Sequence, residues 1–234
     1  MNNCYTGGVD AHRSQGWVIR DNYIEGFWCS SGLSEHGIHL WTGSRGTLVE
    51  RNVIKNCARG IGFGLGLGTV NRTYPDNPCP GVADAGHYLG VIRNNFVYAD
   101  DPGLIASASG FDTGIGLEDA CGAVVAHNTV FATQTSYASL DARFPQTKPV
   151  LANNLLSGKK SIRDGAAPAT DQGNLEMIPG SLFKGPSSGD LHLLPGASQA
   201  IDQGAAVPGA AVMDDIDGQA RDTKPDLGAD EIGP

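Results

Sequence analysis

The sequence predicts an all-β fold, a parallel solenoid of about six recognisable coils. Three observations carry that reading. A short motif recurs: two aliphatic residues, two others, Asn, one residue, then an aliphatic. A second short apolar strand stands upstream of each copy. Amphipathic helical periodicity is almost missing from the 234 residues.

The motif reads "VIRDNYI" at Asn22, "LVERNVI" at Asn52, "VIRNNFV" at Asn95, "VVAHNTV" at Asn128 and "VLANNLL" at Asn154. "TDQGNLE" at Asn174 is a degenerate sixth copy. The Asn spacings are 30, 43, 33, 26 and 20, irregular because loops of different length interrupt the coils. An Asn at one place on each coil would stack as a ladder, each amide bonding the next. No single coil can bury its own apolar face, so stacked coils bury one another.

The upstream strands are "GVDAH", "GIHLW", "GIGFG", "GIGLE", "SLDAR" and "SIRDG". They align on Val9, Ile38, Ile61, Ile115, Leu140 and Ile162. Side chains alternate along a strand, so if these residues point inward, Ala11, Leu40, Phe63, Leu117 and Ala142 do too. The residues between them then face outward. One outward column is Asp10, His39, Gly62, Gly116, Asp141 and Arg163. The next is His12, Trp41, Gly64, Glu118 and Arg143. A plain solvent face would carry Ser, Thr, Lys and Asn. This one displays imidazoles, carboxylates, guanidiniums and a Trp, with Gly62 and Gly64 expected to leave a trough. Coils lie ~4.8 Å apart and outward neighbours ~6.7 Å apart, which places Asp10, His12, His39 and Trp41 within one sugar's reach. Glu118 and Asp141 are diagonal neighbours about 8 Å apart, a separation suited to an inverting carboxylate pair.

Three insertions should shape this face: "GFWCSSGLSEH", "GLGTVNRTYPDNPCPGVADAGHY" and "YADDPGLIASASGFD". They bring Glu35, His36 and His87 toward it. His127 and His192 read as structural, and "DIDG" at Asp215 reads as turn chemistry rather than a calcium loop. A net charge of −9 opposes a nucleic-acid backbone as partner. No run has the ~18 apolar residues of a membrane span. Five cysteines without a CxxC indicate neither a zinc site nor a complete disulfide framework, though Cys29 and Cys79 would staple their loops. The chain opens inside a repeat with no signal-peptide pattern, as expected of a segment of a longer protein.

The repeat resembles the right-handed parallel β-helix proteins of the pectate-lyase-like superfamily, over roughly residues 7–178. That resemblance implies a secreted, extracellular or periplasmic, carbohydrate-active protein. The stretch "SGDLHLLPGASQAIDQG" and the following "DDIDGQARDTKPDLGADEIG" are similar to tails that close such proteins. Residues 1–178 are therefore expected to form the coils. Residues 179–234 are expected to form a closing segment packed on the last coil within the same domain.

Asp10-Ala11-His12 and His36-Gly37-Ile38 are similar to two motifs of mannuronan C5-epimerases, Asp-Pro-His and a His-Gly-Ile strand one coil later. Ala replaces the Pro, and "WTG" stands where an Arg is expected. The resemblance implies proton abstraction beside a uronate carboxylate of a polysaccharide, by a lyase or a C5-epimerase. His12 or His39 would be the base, and Asp10 would orient an imidazole or bind the sugar. Arg13 or Arg45, or a calcium ion held by Asp10 and Glu35, would replace the missing Arg. His36, Trp41, His87 and Arg143 would bind substrate. Two other readings stand beside it. In one, Glu118 and Asp141 work as an inverting hydrolase. In the other, the face is a non-catalytic glycan-binding or surface-structural module.

Overall fold

The computed structural model describes residues 4–5, 7–31, 36–66, 68, 70–82, 84–134 and 137–233. Three six-stranded parallel sheets each take one strand from every turn of the chain, an all-β arrangement compatible with a parallel β-helix. The front sheet contains β1 (Val9–His12), β2 (His36–Trp41), β3 (Arg59–Phe63), β4 (Thr113–Glu118), β5 (Ala138–Arg143) and β6 (Lys160–Arg163). The flank sheet runs from Val18–Arg20 to Thr170–Gln172, and the back sheet from Tyr23–Glu25 to Leu175–Glu176. A small fourth sheet joins Ser44–Arg45, His87–Tyr88 and Ala120–Cys121. Among the described residues no helix is long and apolar enough to cross a membrane.

Aliphatic columns make the core. Ile38, Ile61, Ile115 and Leu140 of the front sheet face Val49, Ile92, Val125 and Leu151 of the flank and Ile54, Val97, Val130 and Leu156 of the back. β-Branched side chains suit these short pleated strands, and a strand bearing them cannot stand alone in water. The Gly before the first aliphatic residue recurs for a steric reason. A Cβ on Gly37, Gly60 or Gly114 would collide with Ile54, Val97 or Val130 respectively.

The corners are equally regular. The residue before each ladder Asn (Asp21, Arg51, Asn94, His127, Asn153, Gly173) has φ between 52° and 62°. This left-handed kink turns the chain from flank to back sheet. The Asn behind it is fixed by the ladder. Asn95 Nδ2 donates to Asn128 Oδ1 at 2.9 Å, and Asn128 Nδ2 to Asn154 Oδ1 at 3.0 Å. Backbone N–H groups of the same residues share those acceptors at 3.1 and 3.0 Å. Asn174 takes its place in the series, accepting from Asn154 at 2.7 Å.

The front register is the expected one through Val9, Ile38, Ile61, Ile115 and Leu140. The last coil is shifted by two residues. Leu140 pairs with Lys160, and Ile162 pairs with Ala142. In backbone register Arg163 therefore pairs with Arg143 rather than Asp141, and Ser161 pairs with Asp141. Aligning on the apolar residue misleads here because the last coil puts charge where its predecessors put aliphatic groups. Lys160, Asp171 and Glu176 are in register with Leu140, Leu151 and Leu156.

That substitution bears on the closing segment. Its contacts run along the outside of several coils and are not confined to the last one. Phe183, Leu191, Leu193 and Leu227 pack on Phe96, Tyr98, Phe131 and Leu155, the outer face of the back sheet. Asp214 bonds Arg51 and Asn94, and buried Arg221 donates to Asn94 Oδ1 at 3.1 Å. The segment thus seals the flank–back corner. "DIDG" is a turn, with Asp215 Oδ1 accepting from Asp217 and Gln219 N–H at 2.9 and 2.7 Å. Two disulfides form, Cys4–Cys29 and Cys79–Cys121, so Cys29 and Cys79 each staple a loop with a different partner. Cys57 is free and buried.

Candidate functional site

The front sheet's outer face carries a cleft of about 450 Å³. It is lined by side chains from five successive coils, from His36 on β2 to Arg163 on β6. His36, Arg59 and Thr113, in mutual register, line the cleft although strict alternation from the inward Ile38, Ile61 and Ile115 would turn them inward; the glycine between faces the core instead, as the Cβ contacts with Ile54, Val97 and Val130 show. Gly116, Asp141 and Glu118 follow on the next rows.

His36 is 6% exposed and lies flat against Gly62. A Cβ on Gly62 would fall 2.5 Å from His36 Nε2, so that glycine makes room for the imidazole. The position above Gly116 is open. A Cβ there would meet only His36 Nε2 and Thr113 Cγ2, each at 3.7 Å. The trough expected over Gly62 and Gly64 is therefore displaced by one coil. His36 fills the space over Gly62, a Cβ on Gly64 would strike the Glu118 carbonyl, and the open floor is Gly116.

Three guanidiniums and three carboxylates surround that floor. Arg163 holds Asp141 bidentately at 3.0 and 2.8 Å, and Asp141 is 4% exposed. Arg143 lies 3.7 Å from Glu118 and donates to Asp164 at 3.0 Å. Arg59 is the least engaged. Its closest carboxylate, Asp112, is 3.8 Å away, and among the described residues its Nε has no hydrogen-bond partner. A half-buried, half-satisfied guanidinium at the wall of a cleft favours an incoming anion, because pairing offsets its desolvation cost.

Beside the cleft runs a row of rings. His12 and Trp41 have centroids 4.2 Å apart, Trp41 and His39 5.4 Å, and His39 and His36 4.3 Å. Trp41 Nε1 donates to Asp10 Oδ1 at 2.7 Å, and His12 Nε2 lies 3.7 Å from the same oxygen. His39 is 1% exposed, with Nε2 at 2.9 Å from the Gly64 carbonyl. Little of the His39 imidazole is open to the cleft face. His12 is open to solvent but stands outside the cleft.

Of the expected residues the cleft gathers His36, Glu118, Asp141 and Arg143. Asp10, His12, His39 and Trp41 form the neighbouring row. Arg45 is directed elsewhere, paired with Asp76 at 2.8 Å and stacked over Tyr74. Arg13 reaches toward the Val70 carbonyl. His87 belongs to the interior, contrary to its expected role in binding. It is fully buried, stacked on Phe63 at 3.9 Å and bonded to Thr47 Oγ1 at 3.0 Å. Burial, then His39, pushes its pKa down to about 3 and keeps it neutral. Of the residues expected to hold calcium, Asp10 accepts from Trp41 through Oδ1 alone, and Glu35 lies outside the described residues. Among the described residues one group of metal-type ligands converges, His192, Asp217 and Asp230, and it sits on the closing segment.

Sequence reasoning missed Arg59, Asp112, Thr113 and Tyr137. The available signal was a polar residue before each recurrent glycine, in "HGI", "RGI" and "TGI", at a place that strict alternation from the Ile counts as inward.

No family model, curated protein or solved structure matches this chain. The site must be read from its own chemistry.

Proposed function

We infer that the front cleft takes an acidic polysaccharide and that its chemistry is removal of the C5 proton of a uronate. The observation that carries this is the pairing in register of His36 and Arg59 at one wall of the open floor over Gly116. Adjacent coils set the two side chains ~4.8 Å apart at their backbones. A uronate carboxylate bound to Arg59 would bring its C5 beside the imidazole. His36 would take the proton while the electron pair moves into the carboxylate, whose growing charge Arg59 stabilises. Return of a proton on the opposite face gives the epimer. Breakage of the C4–O bond instead gives an unsaturated end and a free chain. Both belong to one reaction class, and the surroundings of His36 support the shared first step.

The base assigned here is thus His36, in place of His12 or His39, and Arg59 fills the role first sought in Arg13 or Arg45. The hydrolase reading loses ground because Arg163 occupies both oxygens of Asp141. Three parallel sheets with an Asn ladder support membership among right-handed, pectate-lyase-like β-helices. Two disulfides support an oxidising, extracytoplasmic setting.

The test is incubation with polymannuronate, alginate, pectate and neutral glycans, with and without calcium, followed by ultraviolet absorbance and proton NMR. Unsaturated ends or inverted C5 signals on a uronate polymer are expected. Reducing ends without unsaturation would point to hydrolysis, and binding without turnover to a glycan-binding module.

A further inference from the structure

The cleft does not end at Tyr137. A second basin of about 490 Å³ opens on the other side of that residue, lined by Thr133, Gln134, Lys159, Met177 and Ile178 among others. Tyr137 lines both cavities. A cation sits over its ring from each. Arg163, which lines the first cavity, has its guanidinium carbon 5.4 Å from the ring centroid. Lys159, which lines the second, has its Nζ 4.7 Å away. Tyr137 is 43% exposed, and Met177, at 69%, is among the most exposed large apolar residues of those described. Solvent-facing apolar surface next to a lysine suits the face of a sugar ring better than a small ion.

From these observations we propose that Tyr137 is the ridge between two consecutive subsites. The ligand of the front cleft is then a polymer carrying a carboxylate on successive sugars. One carboxylate lies in the first cavity near Arg59 and Arg163. The next sugar crosses Tyr137 and presents its carboxylate to Lys159 above the Met177–Ile178 surface. The sharing of one aromatic side chain makes the cavities continuous, and the repeat of a cation on each side matches the repeat of charge along a polyuronate. A neutral glycan would leave Arg59 in the first cavity and Lys159 in the second unanswered, and a single uronate would use only one of them. This inference rests on the reading of the front cleft as a uronate site.

The experiment is calorimetric titration of the intact protein with galacturonate and mannuronate oligomers of increasing length, alongside neutral oligomers of equal length. The variants are Lys159→Ala, Tyr137→Leu and Arg59→Ala. The expected result is affinity that climbs with length and then levels off. Lys159→Ala and Tyr137→Leu should weaken the longer oligomers several-fold and leave the shortest binder unchanged. Arg59→Ala should weaken all lengths. Uronate binding whose length dependence is the same in Lys159→Ala, Tyr137→Leu and the parent would overturn the second subsite while leaving the cleft reading intact. Binding of no uronate at any length would overturn both.

Discussion

Lys160 Nζ lies 2.7 Å from both carboxylate oxygens of Asp171, at inward positions that every earlier coil fills with aliphatic side chains. Glu176, in register with Leu156, accepts from the Lys160 backbone N–H at 2.6 Å and lies 3.8 Å from its Nζ. The hydrophobic column is thus ended by its own last turn. A bare terminal coil would present an apolar surface and three unpaired strand edges to other molecules. Charges at those positions make stacking of a further coil costly, since they would be stripped of water. Replacing all three by Leu is expected to produce concentration-dependent self-association beyond that of the parent. Sedimentation velocity over a range of concentrations checks it, and an unchanged distribution would show that the end is protected by other means.

The ladder is the second claim with a direct consequence. Asn95→Ala removes the buried acceptor for two donors of Asn52, the buried donor to the Val49 carbonyl and the part-buried donor to the Arg93 carbonyl. Each orphaned buried group costs about 1–3 kcal/mol, so a loss of at least ~3 kcal/mol is expected. Denaturant unfolding would register it, and a midpoint within error of the parent would contradict the ladder's role.

Much of this architecture is legible in the sequence, and the illegible parts share a cause. The ladder Asn and the aliphatic columns repeat because each coil repeats the same burial problem. That is why Val9, Ile38, Ile61, Ile115 and Leu140 align correctly by type alone. The alignment fails at Ile162, where the end of the stack changes what burial demands. Imidazoles fail for a related reason. His36, His39 and His87 look alike in sequence, yet one lines the cleft, one is a buried member of the ring row and one is a core residue. Their burial depends on where each loop returns to its coil, and periodicity does not record that. Arg59 escaped notice because it stands two residues before Ile61, where strict alternation counts a side chain as inward.

A corner glycine column contains one exception. Gly46 and Gly122 follow the short fourth strand of their coils, and Gly16 follows Gln15, which is bridged to Arg45, all with φ of 61–68°; Leu89 stands at the same place with φ 50°. Left-handed backbone costs a non-glycine residue roughly 1–2 kcal/mol, and glycine returns about half of that as lost unfolded-state restriction. Leu89 is 43% exposed, so little packing is forfeited. Leu89→Gly is expected to stabilise by about 0.5 kcal/mol, a small upward shift in thermal midpoint. A fall would mean that its contact over Gly122 outweighs the backbone strain.

Asp119 makes a pH-dependent prediction. It is 3% exposed, and its Oδ1 has no hydrogen-bond partner among the described residues. Burial, with Asp84 nearby, pushes its pKa up to about 6, against a hydrogen bond from Gly86. The folded state therefore holds this proton more tightly than the unfolded chain. Stability falls as pH rises from about 4 to about 6, and above that the native protein carries the full cost of the buried charge. Asp119→Asn should stabilise by about 1–2 kcal/mol at pH 7.5 and by little at pH 4. Melting curves at the two pH values check it, and an equal shift at both would rule out titration as the cause.

The central claim is proton abstraction at His36, and solvent exchange tests it most directly. The protein would be incubated with polymannuronate and with polygalacturonate in deuterium oxide, and the sugars followed by NMR. The account predicts deuterium at C5 or a new C4–C5 double bond, lost in His36→Gln and retained in His12→Ala. Exchange that survives in His36→Gln, or the absence of any C5 chemistry on either polymer, would contradict it.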